Sequence, residues 1–367
     1  MKLLQIYNSA PHYRESIFRL IDSAFECDYI FGKSMGDIKQ MDTSFLKGTV
    51  TKVDNKYFSG QFYWQKGVQK YLKEYDTFIV LGDTRCLSTW LFCLRARLFH
   101  PQKRVFFWTH GWYGKENAVE KLLKKMFFRL SNGGIFLYGN YARELMIKEG
   151  FSGDKLYVIH NSLAYEKQVK IRQRLKPDGV YKNHFGNDYP NLVFVGRLTK
   201  VKHLDLVLES IHKLKSEGKQ YNFTMIGGGE QQEELQSLTK GLAIDDRVWF
   251  YGPCYDEEQL GHLIYNADLC VSPGNVGLTA MHSMVFGTPV MTHNDFSWQM
   301  PEFEAIKEGE TGGFFVRDDV TSLSERISAW FCSENYDRER IRRNCFKEID
   351  QNWTPQFQIE VLKKHLL

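Results

Sequence analysis

Short apolar, β-rich runs alternate with helical stretches along almost the whole chain, and this rhythm limits the fold more than any other feature. In the first half the runs are residues 2–7, 77–81, 104–108, 134–138 and 156–160. In the second half they are 191–195, 222–226, 247–251, 268–271, 289–292 and 313–316. Strands separated by helices need crossover connections, which predicts an α/β class with parallel sheets covered by helices. The two series predict two such domains, 1–170 and 191–350. Between them the polar, irregular stretch 164–190 reads as a linker, placed at 171–190. A chain of 367 residues has the length for both domains. Its last stretch, from Asn335 to Leu367, reads as helical apart from Thr354-Pro355, and 351–367 is expected to return to the first domain.

Composition narrows the setting. The chain is 43% hydrophobic and 25% charged, as in water-soluble globular proteins. The apolar start is only a strand's length, and no apolar run reaches the span of a membrane helix, so a cytoplasmic protein is expected. Seven scattered cysteines without a Cys-x-x-Cys pair fit a reducing compartment. Cys270, in an apolar run, reads as a small core residue. The net charge of +4 is unevenly spread: residues 85–129 hold ten Lys/Arg against Glu116 and Glu120. Trp90, Phe92, Phe99, Phe127 and Phe128 interleave with these cations, and Lys121, Lys124, Lys125 and Arg129 recur near helical spacing. That pattern reads either as a face resting on anionic lipid or as a solvated basic surface over core aromatics. No recognition motif accompanies the charge, which argues against nucleic acid as a partner.

Open α/β sheets bind ligands beyond the carboxyl ends of their strands. The richest such position is 272–289, Ser-Pro-Gly-Asn-Val-Gly-Leu-Thr-Ala-Met-His-Ser-Met-Val-Phe-Gly-Thr-Pro. It leaves a strand run, turns through Pro273, Gly274, Asn275 and Gly277, and enters a helix pattern at Leu278 and Thr279 that ends near Gly287. A strand, a glycine turn and a helix N-terminus form an anion site, because free amides and the helix dipole point into the crevice. After 191–195 come Gly196, Arg197 and Lys202, followed by a helix over about 203–217. An Arg fork and a Lys point charge at such a turn can clamp a diphosphate; the alternative is surface solubility. Gly227, Gly228, Gly229 and Glu230 follow the next run, and Gly252, Pro253 and Cys254 the one after, a loop suited to a flat base.

In order along the chain stand Gly-Arg-Leu-x-x-x-Lys, Met-Ile-Gly-Gly-Gly-Glu, Asp-Asp-Arg-Val-x-Phe-Tyr-Gly, Ala-Asp-Leu-x-Val-Ser-Pro and Gly-Leu-Thr-Ala-Met-x-Ser-Met-x-x-Gly-Thr-Pro-Val. This series resembles family 4 of the retaining glycosyltransferases over residues 191–316. The resemblance implies the GT-B fold, two Rossmann-like domains facing a cleft. The first half is similar to the family more loosely; Tyr7-Asn8-Ser9-Ala10-Pro11-His12-Tyr13-Arg14 is similar to members that build bacterial surface polysaccharides.

The resemblance implies transfer of a sugar from a nucleotide diphosphate sugar, with retention and without a metal or other cofactor. UDP is the default base that the family supplies. Arg197 and Lys202 take the places of the pair that neutralises the leaving diphosphate, the amides near Leu278 and Thr279 assist, and the leaving phosphate oxygen serves as base. The acceptor is expected to be a lipid-linked or free oligosaccharide at the inner face of the cytoplasmic membrane. Two glutamates of the family pattern are missing here, for the matching positions hold Gly274 and His282. His282 can still hydrogen-bond a ribose. The run His293 to Glu304, rich in carboxylates, amides and a Trp, offers Asp295 or Glu302 as the acid that meets the sugar. His110, past the 104–108 run, aligns with the family's donor-facing residue. His12 and Arg14 are acceptor-side candidates, with Asn140 and Asn161 behind them. An inverting GT-B transferase using His12 or His110 as base, or a non-catalytic nucleotide-sugar-binding protein, are the alternatives. A nicotinamide-dependent oxidoreductase is disfavoured, since no Gly-x-Gly-x-x-Gly turn follows the first strand.

Overall fold

Every residue of the first strand, β1 (Leu3–Tyr7), is buried. That is the signature of a parallel strand covered on both faces, and it explains why such strands read as unbroken apolar runs. The computed structural model describes residues 2–33, 39–58, 61–334 and 336–367. The chain divides into two compact units, Met1–Ala164 with Thr354–Leu367, and Tyr165–Trp353.

In the first unit β1 is followed by β2 (Cys27–Gly32), β3 (Val50–Val53), β4 (Asn55–Tyr57), β5 (Tyr63–Gln65), β6 (Thr77–Leu81), β7 (Arg104–Thr109), β8 (Gly134–Leu137) and β9 (Leu156–Val158). Among the described residues, seven of these form one sheet in the order β3-β2-β1-β6-β7-β8-β9. Every ladder in it is parallel, and β4 and β5 form a separate antiparallel pair. Aromatic side chains fill both layers. One face holds Tyr7, Phe18, Tyr29, Trp108 and Phe136; the other holds Phe78, Phe92, Phe107, Phe127 and Phe128. Strands β2 to β5 were not legible as apolar runs. Asp28 interrupts β2, its carboxylate accepting from the Tyr75 hydroxyl at 2.6 Å and the Thr49 amide at 2.6 Å.

The chain's last helix, Pro355–Leu366, packs on the first of these layers through Ile359, Leu362 and Leu366. Arg104 donates to the carbonyls of Leu366 and His365, at 2.8 and 2.6 Å. Asn335, where the helical reading of the chain's end begins, lies outside the described residues; the helix Arg338–Asn352 follows.

The second unit builds a sheet in the order β12-β11-β10-β13-β14-β15. Its strands are β10 (Asn191–Val195), β11 (Asn222–Ile226), β12 (Val248–Gly252), β13 (Leu269–Ser272), β14 (Val290–His293) and β15 (Gly312–Phe315), again paired in parallel throughout. The stretch read as an irregular linker holds two helices, Tyr165–Arg172 and Val180–Phe185. Both are fastened to this unit: Arg172 pairs with Asp350 at 2.9 Å, and the Tyr181 hydroxyl donates to the Leu263 carbonyl at 2.8 Å. Their apolar residues form no stripe, so periodicity could not announce them. The helix expected from His203 starts at Asp205, because His203 sits in the left-handed region at φ +50° and breaks the turn.

Candidate functional site

The strand order of the second unit reverses between β10 and β13, the place where an open parallel sheet opens a crevice at its carboxyl edge. Gly196 and Arg197 leave β10 there, and Pro273 to Thr279 leave β13 beside them.

Lys202 ends a short 3-10 turn, Lys200–Lys202. Its ammonium donates to the Asn275 carbonyl at 2.7 Å and to Asn275 Oδ1 at 2.8 Å. The Gly274 amide returns a bond to the Lys202 carbonyl at 3.0 Å, so the two turns are stitched together. Burial first, and then the nearby charge of Arg197, lower the Lys202 pKa to about 8 against the opposing pull of Glu302. The like charge of Arg197 disfavours the ammonium, and a bound anion would favour it. Arg197 is exposed, and no hydrogen bond or ion pair holds its side chain among the described residues. Position 274 has no room for a side chain: a Cβ there would stand 2.0 Å from the Val201 carbonyl oxygen.

The helix after this turn runs Leu278–Val285, and no side chain caps its N-terminus. Its cap residue, Gly277, lies at φ +50° and ψ −146°, a conformation that glycine tolerates and other residues resist. The first amides of the helix therefore remain for a ligand. Thr279 does not reach into the crevice, because its hydroxyl is spent on the Val195 carbonyl at 2.9 Å, fixing the helix to β10. The Val276 amide is taken by Gln299 Oε1 at 2.9 Å, a brace from the β14 side.

The glycine run after β11 and the loop after β12 meet. A Cβ on Gly228 would lie 3.1 Å from the Pro253 ring, which puts Gly228, Pro253 and Cys254 in one wall. Glu230 is exposed at the rim. His282 faces a pair that sequence reasoning missed. Gln168 Nε2 lies 3.3 Å from His282 Nδ1 and donates to Glu257 Oε1 at 2.7 Å, and Glu257 Oε1 stands 4.0 Å from the imidazole. Glu257 begins the helix Glu257–Asn266 behind its cap Asp256. Nothing local marks it, since its partners lie 89 positions before it, at Gln168, and 25 after it, at His282.

After β14, Asp295 and Glu302 have different fates. Asp295 is engaged: Ser297 donates to it at 2.6 Å and Arg317 pairs with it at 3.1 Å, while the Arg317 guanidinium covers the Trp298 ring at 4.4 Å. Glu302, on the short 3-10 turn Pro301–Ala305, is only 2% exposed, and its charge acts on Lys202. His293 is held neutral at a pKa of about 4 by burial and then by Arg317.

In the first unit the strand order reverses between β1 and β6. Past β1, the exposed His12 has its Nδ1 3.2 Å from the Lys39 carbonyl. Arg14 is not a free surface cation. It is 6% exposed and stacked on the rings of Tyr7 and Trp108 at 4.7 and 4.4 Å. Past β7, His110 lies 4.7 Å from the Tyr138 ring, and burial, then Arg14 and Lys124, lower its pKa to about 4. It is a neutral imidazole at neutral pH. Asn140 starts the helix Asn140–Lys148, and Asn161 Oδ1 accepts from the Ser162 amide at 3.0 Å.

The sequence model of the family described as glycosyl transferases group 1 matches residues 180–348. Among curated proteins, the chain is 31% identical over 103 residues to a GDP-mannose-dependent alpha-(1-6)-phosphatidylinositol dimannoside mannosyltransferase of Mycobacterium tuberculosis, covering 27% of this chain and 26% of that protein. It is 20% identical over 176 residues to the putative colanic acid biosynthesis glycosyltransferase WcaL of Salmonella typhimurium, covering 45% and 42%. The chain thus spans between a quarter and a half of the length of these relatives. Among solved structures, the apo form of the lipopolysaccharide outer core galactosyltransferase WaaB superimposes with a TM-score of 0.73 at 15% identity, covering 100% of this chain and 99% of that one. HepE of Anabaena in complex with UDP gives 0.70 at 16%, covering 99% of each. The fold is GT-B.

Proposed function

We propose that this chain, whose residues 180–348 match the model of the glycosyl transferases group 1 family, transfers a sugar from a nucleotide diphosphate sugar to a saccharide acceptor in the making of a bacterial surface polysaccharide or lipopolysaccharide. The observation that carries the reading is the stitched pair of turns at the β10/β13 switch. Arg197, Lys202 and the uncapped start of the helix Leu278–Val285 come together there, as a diphosphate leaving group requires. Lys202, held by Asn275, with Arg197 beside it and a helix N-terminus, supplies the charge stabilisation that a metal supplies elsewhere, which favours metal-independent transfer. Transfer with retention, the leaving phosphate acting as base, is what the resemblance to family 4 implies. The acceptor in this reading is lipid-linked.

Within the second unit, Glu302 takes the part of the acid missing at position 274, and His282 with Glu257 takes the ribose. Asp295, tied to Arg317, shapes the loop instead. A second reading, nucleotide-sugar binding without transfer, has the loss of both family glutamates in its favour. One assay separates the two: incubation with UDP-, GDP- and ADP-sugars in the presence of EDTA, reading nucleotide release and the anomeric configuration of the product. Release that survives EDTA, with the donor's configuration kept, supports retaining, metal-independent transfer. An inverted product rejects retention, and binding without any release, even by slow hydrolysis, rejects transfer.

A further inference from the structure

Two neighbouring helices of the first unit expose apolar rows. Leu87–Phe99 follows β6 and Ala118–Phe128 follows β7. They lie side by side: the Trp90 and Phe127 rings meet at 4.9 Å, tilted by 47°, and the Arg97 guanidinium donates to the Arg129 carbonyl. Their inner faces fill the core with Phe92, Cys93 and Ala96 from one helix and Phe127 and Phe128 from the other. Their outer faces are also apolar. Leu87, Leu91, Leu94 and Leu98 repeat at one side of the first helix and run into Phe99; Val119, Leu122, Leu123 and Met126 do the same on the second. Leu98, Phe99 and Val119 are 62%, 70% and 66% exposed. A surface helix normally carries polar residues there, and contiguous exposed apolar surface marks an interaction site.

The net charge around these rows is positive. The aromatics Phe92, Phe127 and Phe128, which the sequence interleaved with cations, belong to the core, and part of the basic excess is neutralised. Lys121 and Lys125 pair with Glu149, and Lys124 pairs with Glu116. Glu120 is used in the capping box of the second helix. Arg95, Arg97 and Arg129 have no carboxylate partner among the described residues. Where the two helices end, a cavity of about 440 Å³ opens, lined by Arg97, Arg129, Lys155, Phe128 and Phe151 and by no acidic residue.

We propose that this face docks on an anionic lipid bilayer, with the leucine rows in the acyl boundary and a headgroup phosphate in the cavity between Arg97, Arg129 and Lys155. Self-pairing of the face is disfavoured because it would set these arginines against their own copies. A bilayer rich in anionic lipid meets both the apolar rows and the positive rim. The proposal deepens the reading of a lipid-linked acceptor and rests on it for its purpose only. The test is sedimentation of the full chain with vesicles of equal parts phosphatidylcholine and phosphatidylglycerol at low salt, against phosphatidylcholine alone. Binding is expected to the anionic vesicles and to weaken with salt. Leu98→Glu with Phe99→Glu, and separately Leu122→Glu with Met126→Glu, are expected to lower it by on the order of tenfold or more. Arg97→Gln with Arg129→Gln should lower it on the order of tenfold while leaving the apolar rows intact. The melting temperature of the free chain, and any shift that UDP gives it, reports folding, and should be unchanged in all three variants. No binding by the unaltered chain, equal binding by the variants, or self-association without lipid that the same substitutions abolish would overturn the proposal. Vesicle binding needs no donor, so a failure of the transferase reading shows in the nucleotide-release assay and not here.

Discussion

Lys202 and Asn275 lock the two turns of the nucleotide-side crevice together, the ammonium resting between the backbone and side-chain oxygens of a single asparagine at 2.7 and 2.8 Å. The same ammonium is asked to face a diphosphate. Its position is therefore set before a ligand arrives, and little ordering entropy remains to be lost on binding. Lys202→Met should weaken nucleotide diphosphate binding by roughly 10–100-fold, the worth of a charge-assisted hydrogen bond, as titration calorimetry would measure. Asn275→Ala should lower turnover more than affinity, because the charge stays while its aim is lost; an equal loss in both would count against prior positioning by Asn275.

The pH dependence of binding follows from the same residue. The Lys202 pKa in the free protein is about 8, and the binding form is the charged one. Affinity for a nucleotide diphosphate should hold below that pH and fall by about tenfold per pH unit above it. Folding responds with the opposite sign. Between about 8 and the ordinary lysine value of 10.5 the unfolded chain keeps a proton that the folded chain has lost, so this group's contribution to stability rises with pH there. Titrations at stepped pH on the parent and on Lys202→Met test the assignment, since only the parent should show the break.

Glu302 and Asp295 are separable by substitution. Glu302→Gln keeps the shape of a buried side chain and removes its charge; turnover should fall by on the order of 100-fold with nucleotide affinity changed little. Asp295→Ala breaks the Arg317 pair and frees the Trp298 ring, and should act mainly on the Michaelis constant for the donor. The reverse pattern would transfer the sugar-facing role to Asp295.

On the ribose side, His282→Ala and Glu257→Gln should each weaken nucleotide binding by roughly tenfold, with the double variant losing less than the product because the two groups share Gln168. Fully multiplicative losses would mean that they act independently. Nucleoside monophosphates should show the effect as strongly as diphosphates, whereas Lys202→Met should spare the monophosphates.

Much of this arrangement was legible because it is local. In the second unit the strand runs, the glycine turns and the Arg197–Lys202 spacing each fall within a few residues, and the apolar runs are unbroken because parallel strands are buried on both faces. What stayed hidden depends on distant partners. Strand β2 carries Asp28, tolerable only because Tyr75 and Thr49 satisfy it. The helices within 165–185 owe their order to Asp350 and the Leu263 carbonyl rather than to an apolar stripe. Glu257 meets His282 only through the fold. Arg14 read as an acceptor-side candidate, yet two aromatic rings enclose it, a contact that no spacing in the sequence announces.

The resemblance to family 4 implies a glutamate where Gly274 stands. In the genetic code glycine and glutamate are one base apart, so the code alone sets no obstacle to a glutamate at 274. The backbone does, because the first carbon of any new side chain would land 2.0 Å from the Val201 carbonyl, in the turn that aims Lys202. A glutamate there would require the turn between Val201 and Gly274 to be rebuilt first. Any acid that faces the sugar must then reach it from another element, so the same turn that aims Lys202 also decides from which side the sugar is read.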